Sequence, residues 1–422
     1  MEKIILPNSL RLLFVPQKEA RTVTALILVG AGSKYETKNI NGLSHFLEHM
    51  LFKGTEKRPT PLEVASVLDQ VGGSYNAFTD REYTGYFAQV RPEHFDLALD
   101  WVSDLFLHPL LLPESIEREK GVILEELHMY LDTPLQYIGE IWERLLYGDQ
   151  PAGWDIIGTE ETILGTNQKQ LLDYFRQHYS SQNTVLVLAG RLENQEKIRE
   201  EVEKIFSEMN QQPAAEKLEV KEEQTAPQSL IQFKKTDQTH LALGARGYNG
   251  QDEQRWAQAV LAVILGGNMS SRLFNLIREK HSLAYYVRSF PQTYTDTGYL
   301  MTQAGIANQK AEKAIQLILE EYQKMARGDI QSAEVEKGKE YLKGSLALSL
   351  ESSSSLASFY AQQELLSPEV LTPEAMAQKI NQVKLEDVCQ TAKELFVPAK
   401  LNLALIGPYH QGDFDGILQS IV

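Results

Sequence analysis

The sequence predicts an α+β protein made of two homologous domains, each a largely antiparallel sheet with helices packed on one face. Three observations carry that prediction. At 422 residues the chain exceeds what one ordinary core organises, which suggests two domains of similar size. Its strand-like runs come as hairpin-like pairs set apart by groups of helices, and regular strand-helix alternation is missing. The stretch Thr293-Tyr294-Thr295-Asp296-Thr297-Gly298-Tyr299-Leu300 echoes Asp80-Arg81-Glu82-Tyr83-Thr84-Gly85-Tyr86-Phe87, so the second half repeats the first in outline.

In chain order, residues 10–16 and 23–30 read as strands, one edge-like and one buried. A short helix over 42–53 follows, with Asn41 placed to cap its start and Gly54 to end it. Thr60-Pro61-Leu62-Glu63 is a capping box with proline at the first helical position, opening a helix that stops at Gly72-Gly73. Residues 74–90, rich in Tyr, Phe and Thr, read as two paired strands around Asp80-Arg81-Glu82. A helix from about 92 to 108 carries Phe95, Leu99, Val102 and Phe106 on one side, and another runs from about 113 to 130. A buried strand at 184–190 and a helix near 194–209 close the first domain, 1–210. From 211 to 228 the chain turns to Glu, Lys, Gln, Pro and Ala, a linker composition. In the second domain, 229–422, a strand at 240–244 and a helix at 256–265 lead to a break at Gly266-Gly267 and a further helix through Arg278. Helices at about 308–327 and 332–349, and more to about 396, precede a last strand at 401–406 that mirrors 184–190. Gly266-Gly267 lacks the Lys and Ser/Thr of a phosphate loop.

Composition narrows the function classes. With 43% hydrophobic residues the chain has material for packed cores. A formal charge of −16 argues against nucleic acid or an anionic membrane as the main partner. The single cysteine, Cys389, allows no internal disulfide and no thiolate zinc cluster. The start, Met1-Glu2-Lys3-Ile4-Ile5-Leu6-Pro7, lacks the charged and long apolar regions of a secretion signal, and no run approaches membrane-spanning length. A reducing cytoplasm is the simplest location.

The helix at 42–53 carries the chemistry. Leu43, Phe46, Leu47, Met50 and Leu51 form an apolar stripe that should face a core, while His45, Glu48 and His49 fall together on another face. Histidines four apart on a helix can both reach one zinc ion, and Glu48 points at the same volume, able to take a proton from an activated water. On the helix at 113–130, Glu119 and Glu126 are two turns apart and share a face with Val122 and Ile123 between them. A catalytic zinc held by two imidazoles needs a third protein ligand, usually a carboxylate. Glu126 can be that ligand, with Glu119 fixing a histidine tautomer, but spacing alone does not choose Glu126 over Glu125 or His128.

The run His45-Phe46-Leu47-Glu48-His49-Met50-Leu51-Phe52-Lys53-Gly54-Thr55 resembles the metal-binding helix of the pitrilysin and mitochondrial-processing-peptidase family, the inverted zincins. Glu119-Lys120-Gly121-Val122-Ile123-Leu124-Glu125-Glu126 is similar to that family's downstream segment, whose last carboxylate binds zinc. The resemblance therefore selects Glu126 and places Glu119 behind it. Two further stretches are similar. Tyr75, Asn76, Ala77 and Phe78 match the exposed edge strand to which a peptide adds in extended form, and Arg278 with Tyr285 match an Arg/Tyr pair that contacts the scissile region.

What the resemblance implies is a zinc metalloendopeptidase with one zinc per chain, on His45, His49 and Glu126, and with Glu48 as general base. The family assembles four such domains into a clamshell chamber and this chain supplies two. A homodimer is expected, with Arg278 and Tyr285 completing the partner's site and with peptides or unfolded polypeptides as substrates. The second half carries no H-x-x-E-H, so one metal site per chain is expected. Two other readings are a non-catalytic scaffold, like relatives that serve as core subunits of a respiratory complex, and a processing peptidase dedicated to one precursor.

Overall fold

The computed structural model describes residues 1–213 and 215–419. Ala214, inside the expected linker, and residues 420–422, at the end of the expected second domain, lie outside the described residues. The strands are β1 (Glu2–Ile5), β2 (Arg11–Pro16), β3 (Val23–Val29), β4 (Ser74–Thr79), β5 (Thr84–Val90), β6 (Thr184–Gly190), β7 (Gln228–Phe233), β8 (Gln238–Arg246), β9 (Ala284–Thr293), β10 (Gly298–Ala307) and β11 (Leu401–Gly407). The helices that matter below are α1 (Leu43–Leu51), α2 (Phe95–Leu107), α3 (Pro113–Leu131), α4 (Pro134–Tyr147), α5 (Arg255–Gly266), α6 (Ala311–Ala326), α7 (Ser353–Leu366) and α8 (Leu385–Leu395).

Two compact units result, one of Met1–His128, Trp154–Leu218 and Leu348–Val370, the other of Met129–Gly153, Glu219–Ala347 and Leu371–Val422. The first holds a six-stranded sheet in the order β1-β2-β6-β3-β5-β4. Only β2 and β6 run parallel; every other pair is antiparallel. β3 is buried along its whole length, so both faces of the sheet are covered. On one face Tyr86, paired with Ile27, meets Phe106 of α2 edge to face. On the other, Leu26, Leu28, Val185 and Val187 pack against Leu356, Ala357 and Tyr360 of α7.

The second unit repeats this plan with one strand fewer, β7-β11-β8-β10-β9, and only β7 and β11 run parallel. Leu241, Leu243 and Ala245 of β8 face Leu261 of α5, Ile318 of α6 and Val388 of α8. Ala242, on the opposite side of the same strand, faces Ile138, Ile141 and Trp142 of α4. Among the described residues, no helix is long and apolar enough to cross a membrane.

The two-sheet architecture is as the sequence predicts, with two differences. Helices cover both faces of each sheet: a group lies on one face and a single helix on the other. The units also depart from the contiguous division 1–210 and 229–422. The first unit's lone helix, α7, comes from the second half of the chain, and the second unit's, α4, comes from the first. A buried apolar sheet face must be covered, and nothing local in an amphipathic helix says which sheet it will cover. The chain passes from the first unit to the second after His128, after Leu218 and after Val370, and of these only Leu218 falls inside the expected linker.

Candidate metal centre

α1 buries Leu43, Phe46, Leu47, Met50 and Leu51 almost completely and leaves His45, Glu48 and His49 half-buried on its other face. Its start differs from expectation. Asn41 does not cap the helix; the cap position is Gly42, at a left-handed φ of 93°, where a Cβ would lie 2.5 Å from the Ile157 carbonyl oxygen. The free amides are taken instead by the buried carboxylate of Glu36, whose two oxygens accept from Gly42 N and Ser44 N, each at 2.7 Å. Asn41 Nδ2 donates to the same carboxylate at 3.1 Å. Burial pushes Glu36 above the ordinary carboxylate range, and the hydrogen bonds from Ser44 and Gly42 offset part of that. Glu36 thus fixes the entry of the helix that carries the histidines.

α3 runs alongside with Ile116, Glu119, Ile123 and Leu127 on its buried stripe and Glu126 half-buried beside them. Glu126 Oε2 lies 3.3 Å from His49 Nε2 and 3.7 Å from His45 Nε2. Donor atoms of His45, His49 and Glu126 all lie within 4.8 Å of one another. Four donors placed tetrahedrally at zinc's usual bond lengths are about 3.4 Å apart, close to the 3.3 and 3.7 Å that separate Glu126 Oε2 from the two histidine nitrogens, so the donor types and spacing of this His-His-Glu set suit the ion. The alternatives left open by spacing fall away from it. Glu125 and His128 both point to solvent, with His128 Nδ1 3.8 Å from Glu125 Oε1.

Behind the ligands, Glu119 Oε1 accepts from His49 Nδ1 at 2.9 Å and its other oxygen accepts from Lys53 Nζ at 2.7 Å. Burial alone would lower the imidazole of His49, but hydrogen bonds to Glu119 and Glu126 overcome it and push His49 up to about 9. Glu126 is held well below the ordinary carboxylate range by His45 and His49. Burial would raise Glu119, yet the bonds from His49 and Lys53 leave it lowered.

Glu48 Oε2 accepts a 2.5 Å hydrogen bond from Thr79 Oγ1. Thr79 is the last residue of β4, the outer strand of its sheet, so Tyr75, Asn76, Ala77 and Phe78 lie on an edge whose one neighbour is β5. Arg278 and Tyr285 belong to the second unit. Arg278 is exposed on a π-helical turn, Phe274–Lys280, with its guanidinium 4.9 Å from the Phe274 ring centroid. Tyr285 is 76% exposed on the outer strand β9. Sequence reasoning missed Glu36, Lys53 and Thr79. Two of them stood in stretches already singled out, Thr79 at the end of the expected peptide strand and Lys53 in the run that resembles the metal-binding helix, but neither had a role assigned; Glu36 carried no signal.

Comparison with known proteins agrees with this geometry. Residues 12–160 match the insulinase (peptidase family M16) domain, and residues 166–342 match the peptidase M16 inactive domain. An uncharacterized zinc protease of Bacillus subtilis is 37% identical over 95% of this chain and 97% of its own length. One of Streptomyces coelicolor is 32% identical over 97% and 90%. Among solved structures, a protease from Helicobacter pylori superposes with a TM-score of 0.90 at 24% identity, covering 96% of this chain and 99% of its own. A chain of complex III2 from Candida albicans superposes at 0.86 and 18% identity, covering 100% and 99%. These two show the fold. The two matched domains, the full-length relatives and the His-His-Glu set together establish that the chain belongs to peptidase family M16, the insulinase/pitrilysin family of zinc proteases.

Proposed function

We propose that this chain is a zinc-dependent endopeptidase that cuts peptides or unfolded polypeptides, with one zinc per chain on His45, His49 and Glu126. The observation that carries the reading is the convergence of those three donors with Glu48 on the adjoining face of α1. When bound, zinc supplies the Lewis acidity that makes water nucleophilic at neutral pH. Glu48 accepts the proton of the attacking water and returns it to the leaving amine. The Thr79 hydroxyl holds Oε2, which leaves Oε1 for that proton. The outer edge of β4 receives the substrate as an added strand, through main-chain hydrogen bonds that are indifferent to sequence.

The chain works as a homodimer in which Arg278 and Tyr285 reach the partner's site, Tyr285 donating to the oxyanion. Their exposure supports this, because each is free to meet a group outside its own unit. A cytoplasmic location suits a chain with one cysteine. The scaffold reading draws support from the likeness to complex III2, but the full ligand set with Glu48 and Glu119 has no use there. A peptidase dedicated to one precursor remains the second reading, and a digested peptide library read by mass spectrometry separates it from a general peptidase by the number of products.

The test is a purified protein assayed for zinc and for cleavage of an unstructured peptide. One zinc per chain and cleavage are expected, with Glu48→Gln keeping the zinc and losing the cleavage. No zinc, or full activity in Glu48→Gln, refutes the reading. Mixing Glu48→Gln with Arg278→Ala chains under exchange conditions should restore activity, and failure to do so refutes completion in trans.

A further inference from the structure

We propose that Lys53 is a positioning residue of the metal centre, the outer end of a relay from Lys53 through Glu119 to His49 that fixes which nitrogen of His49 faces the ion. The inference rests on the zinc reading above. Lys53 stands two residues beyond the end of α1, in the tightened turn where its backbone N–H donates to the Met50 carbonyl, and four residues after His49. The two side chains grip opposite oxygens of one carboxylate: Lys53 Nζ lies 2.7 Å from Glu119 Oε2, and His49 Nδ1 lies 2.9 Å from Oε1.

Two physical arguments make this grip functional. The Glu119 side chain is only 5% exposed, so water cannot carry its charge. To bind an ion at Nε2, His49 must be neutral with its proton on Nδ1. It then offers Glu119 a hydrogen bond but no charge, and the compensating cation is Lys53. Glu48, Glu119 and Glu126 bring three negative charges to this volume; a divalent ion and Lys53 bring them to neutrality. Without Lys53 the set is net negative, and Glu119 is free to turn out toward solvent. The ring of His49 then loses the acceptor that fixes its orientation, and zinc affinity falls even though every ligand is present.

The experiment measures zinc affinity of metal-free protein by competition with a chelating dye, without recourse to activity. The variants are Lys53→Met, Lys53→Arg, Glu119→Gln and the double Lys53→Met/Glu119→Gln, with circular dichroism to verify folding and Lys53→Gln held in reserve if the Met variant misfolds. Lys53→Met should weaken zinc binding roughly tenfold, the lower end of what such outer partners contribute. Lys53→Arg, which keeps the charge and the reach, should recover most of the loss. In the Glu119→Gln background the Lys53→Met change should cost nothing further. Wild-type affinity in Lys53→Met, or an undiminished loss in the Glu119→Gln background, overturns the proposal while leaving the zinc reading intact. A wild-type protein that binds no zinc overturns that reading as well.

Discussion

Zinc loading at neutral pH should expel a proton from His49, and the pH dependence of affinity follows from its size. His49 is pushed up to about 9 because Glu119 and Glu126 flank its two nitrogens. At pH 7, about two units lower, only about one metal-free molecule in a hundred has the neutral ring the ion needs; displacing the proton costs about 3 kcal/mol, on the order of a hundredfold in affinity. Affinity should therefore rise about tenfold per pH unit between pH 7 and 8.5 and level off above 9. The fold of the metal-free protein responds with the opposite sign. A raised imidazole stabilises it fully below the ordinary histidine value of about 6.5 and loses that contribution as pH climbs through 9. The depressed carboxyl of Glu126 is the same interaction seen from its other partner, so the two are not added. Titration calorimetry in two buffers of different ionisation enthalpy counts the released proton, and dye competition at four pH values gives the slope. Affinity that is flat from pH 7 to 8.5, or zinc binding with no proton released, would show that His49 is already neutral and would sink the argument.

Three further predictions follow from named contacts. Thr79→Val removes the donor to Glu48 while keeping the side chain's shape; turnover should fall by up to about a hundredfold with KM little changed, as for a hydrogen bond to a charged group, and Thr79→Ser should restore it, whereas equal loss in both would point to packing. Glu36→Ala leaves the amides of Gly42 and Ser44 buried without their acceptor and Asn41 Nδ2 with only the Asp155 carbonyl, at a cost of about 3 kcal/mol or more, read as a lower denaturation midpoint together with weakened zinc binding; an unchanged midpoint refutes the capping role. His178, packed between the rings of Tyr35 and Tyr174, is held down to about 4 by burial. The folded state therefore binds fewer protons there than the unfolded one. Stability is full above about pH 6.5 and falls by about 3 kcal/mol as pH drops toward 4, and denaturant titrations of His178→Phe at pH 7 and 4.5 should show a smaller loss than the wild type.

The legible parts of the site were those set by short spacings. His45, Glu48 and His49 share a face because a helix returns every three or four residues, and the apolar stripe beside them fixed which face turns inward. Glu119 and Glu126 were visible as a pair for the same reason. Their distance from the histidines was not, since it depends on how α1 and α3 pack; that packing brings Glu126 in and leaves Glu125 in solvent. Glu36 shows the opposite case. It precedes the helix by a short irregular stretch and reads as one more surface acid, and only the folded loop turns its carboxylate onto the amides of Gly42 and Ser44. The strands β1 and β7 escaped notice because they are short, polar in part and lie at the outer ends of their sheets, where the period-two pattern is weak.

By itself, then, the sequence determined the secondary elements with strong periodicity, the repetition of one plan in two halves, and the chemistry of the metal-binding helix, all of which rest on interactions within a few turns of chain. The tertiary structure decided what depends on contacts remote in sequence: that α4 covers the second sheet and α7 the first, that Glu36 caps α1, that Thr79 holds Glu48, and that Lys53 and His49 share Glu119. The physical reason is the same in each case. A helix face or a carboxylate states locally that it needs a partner, and only the packed chain supplies one.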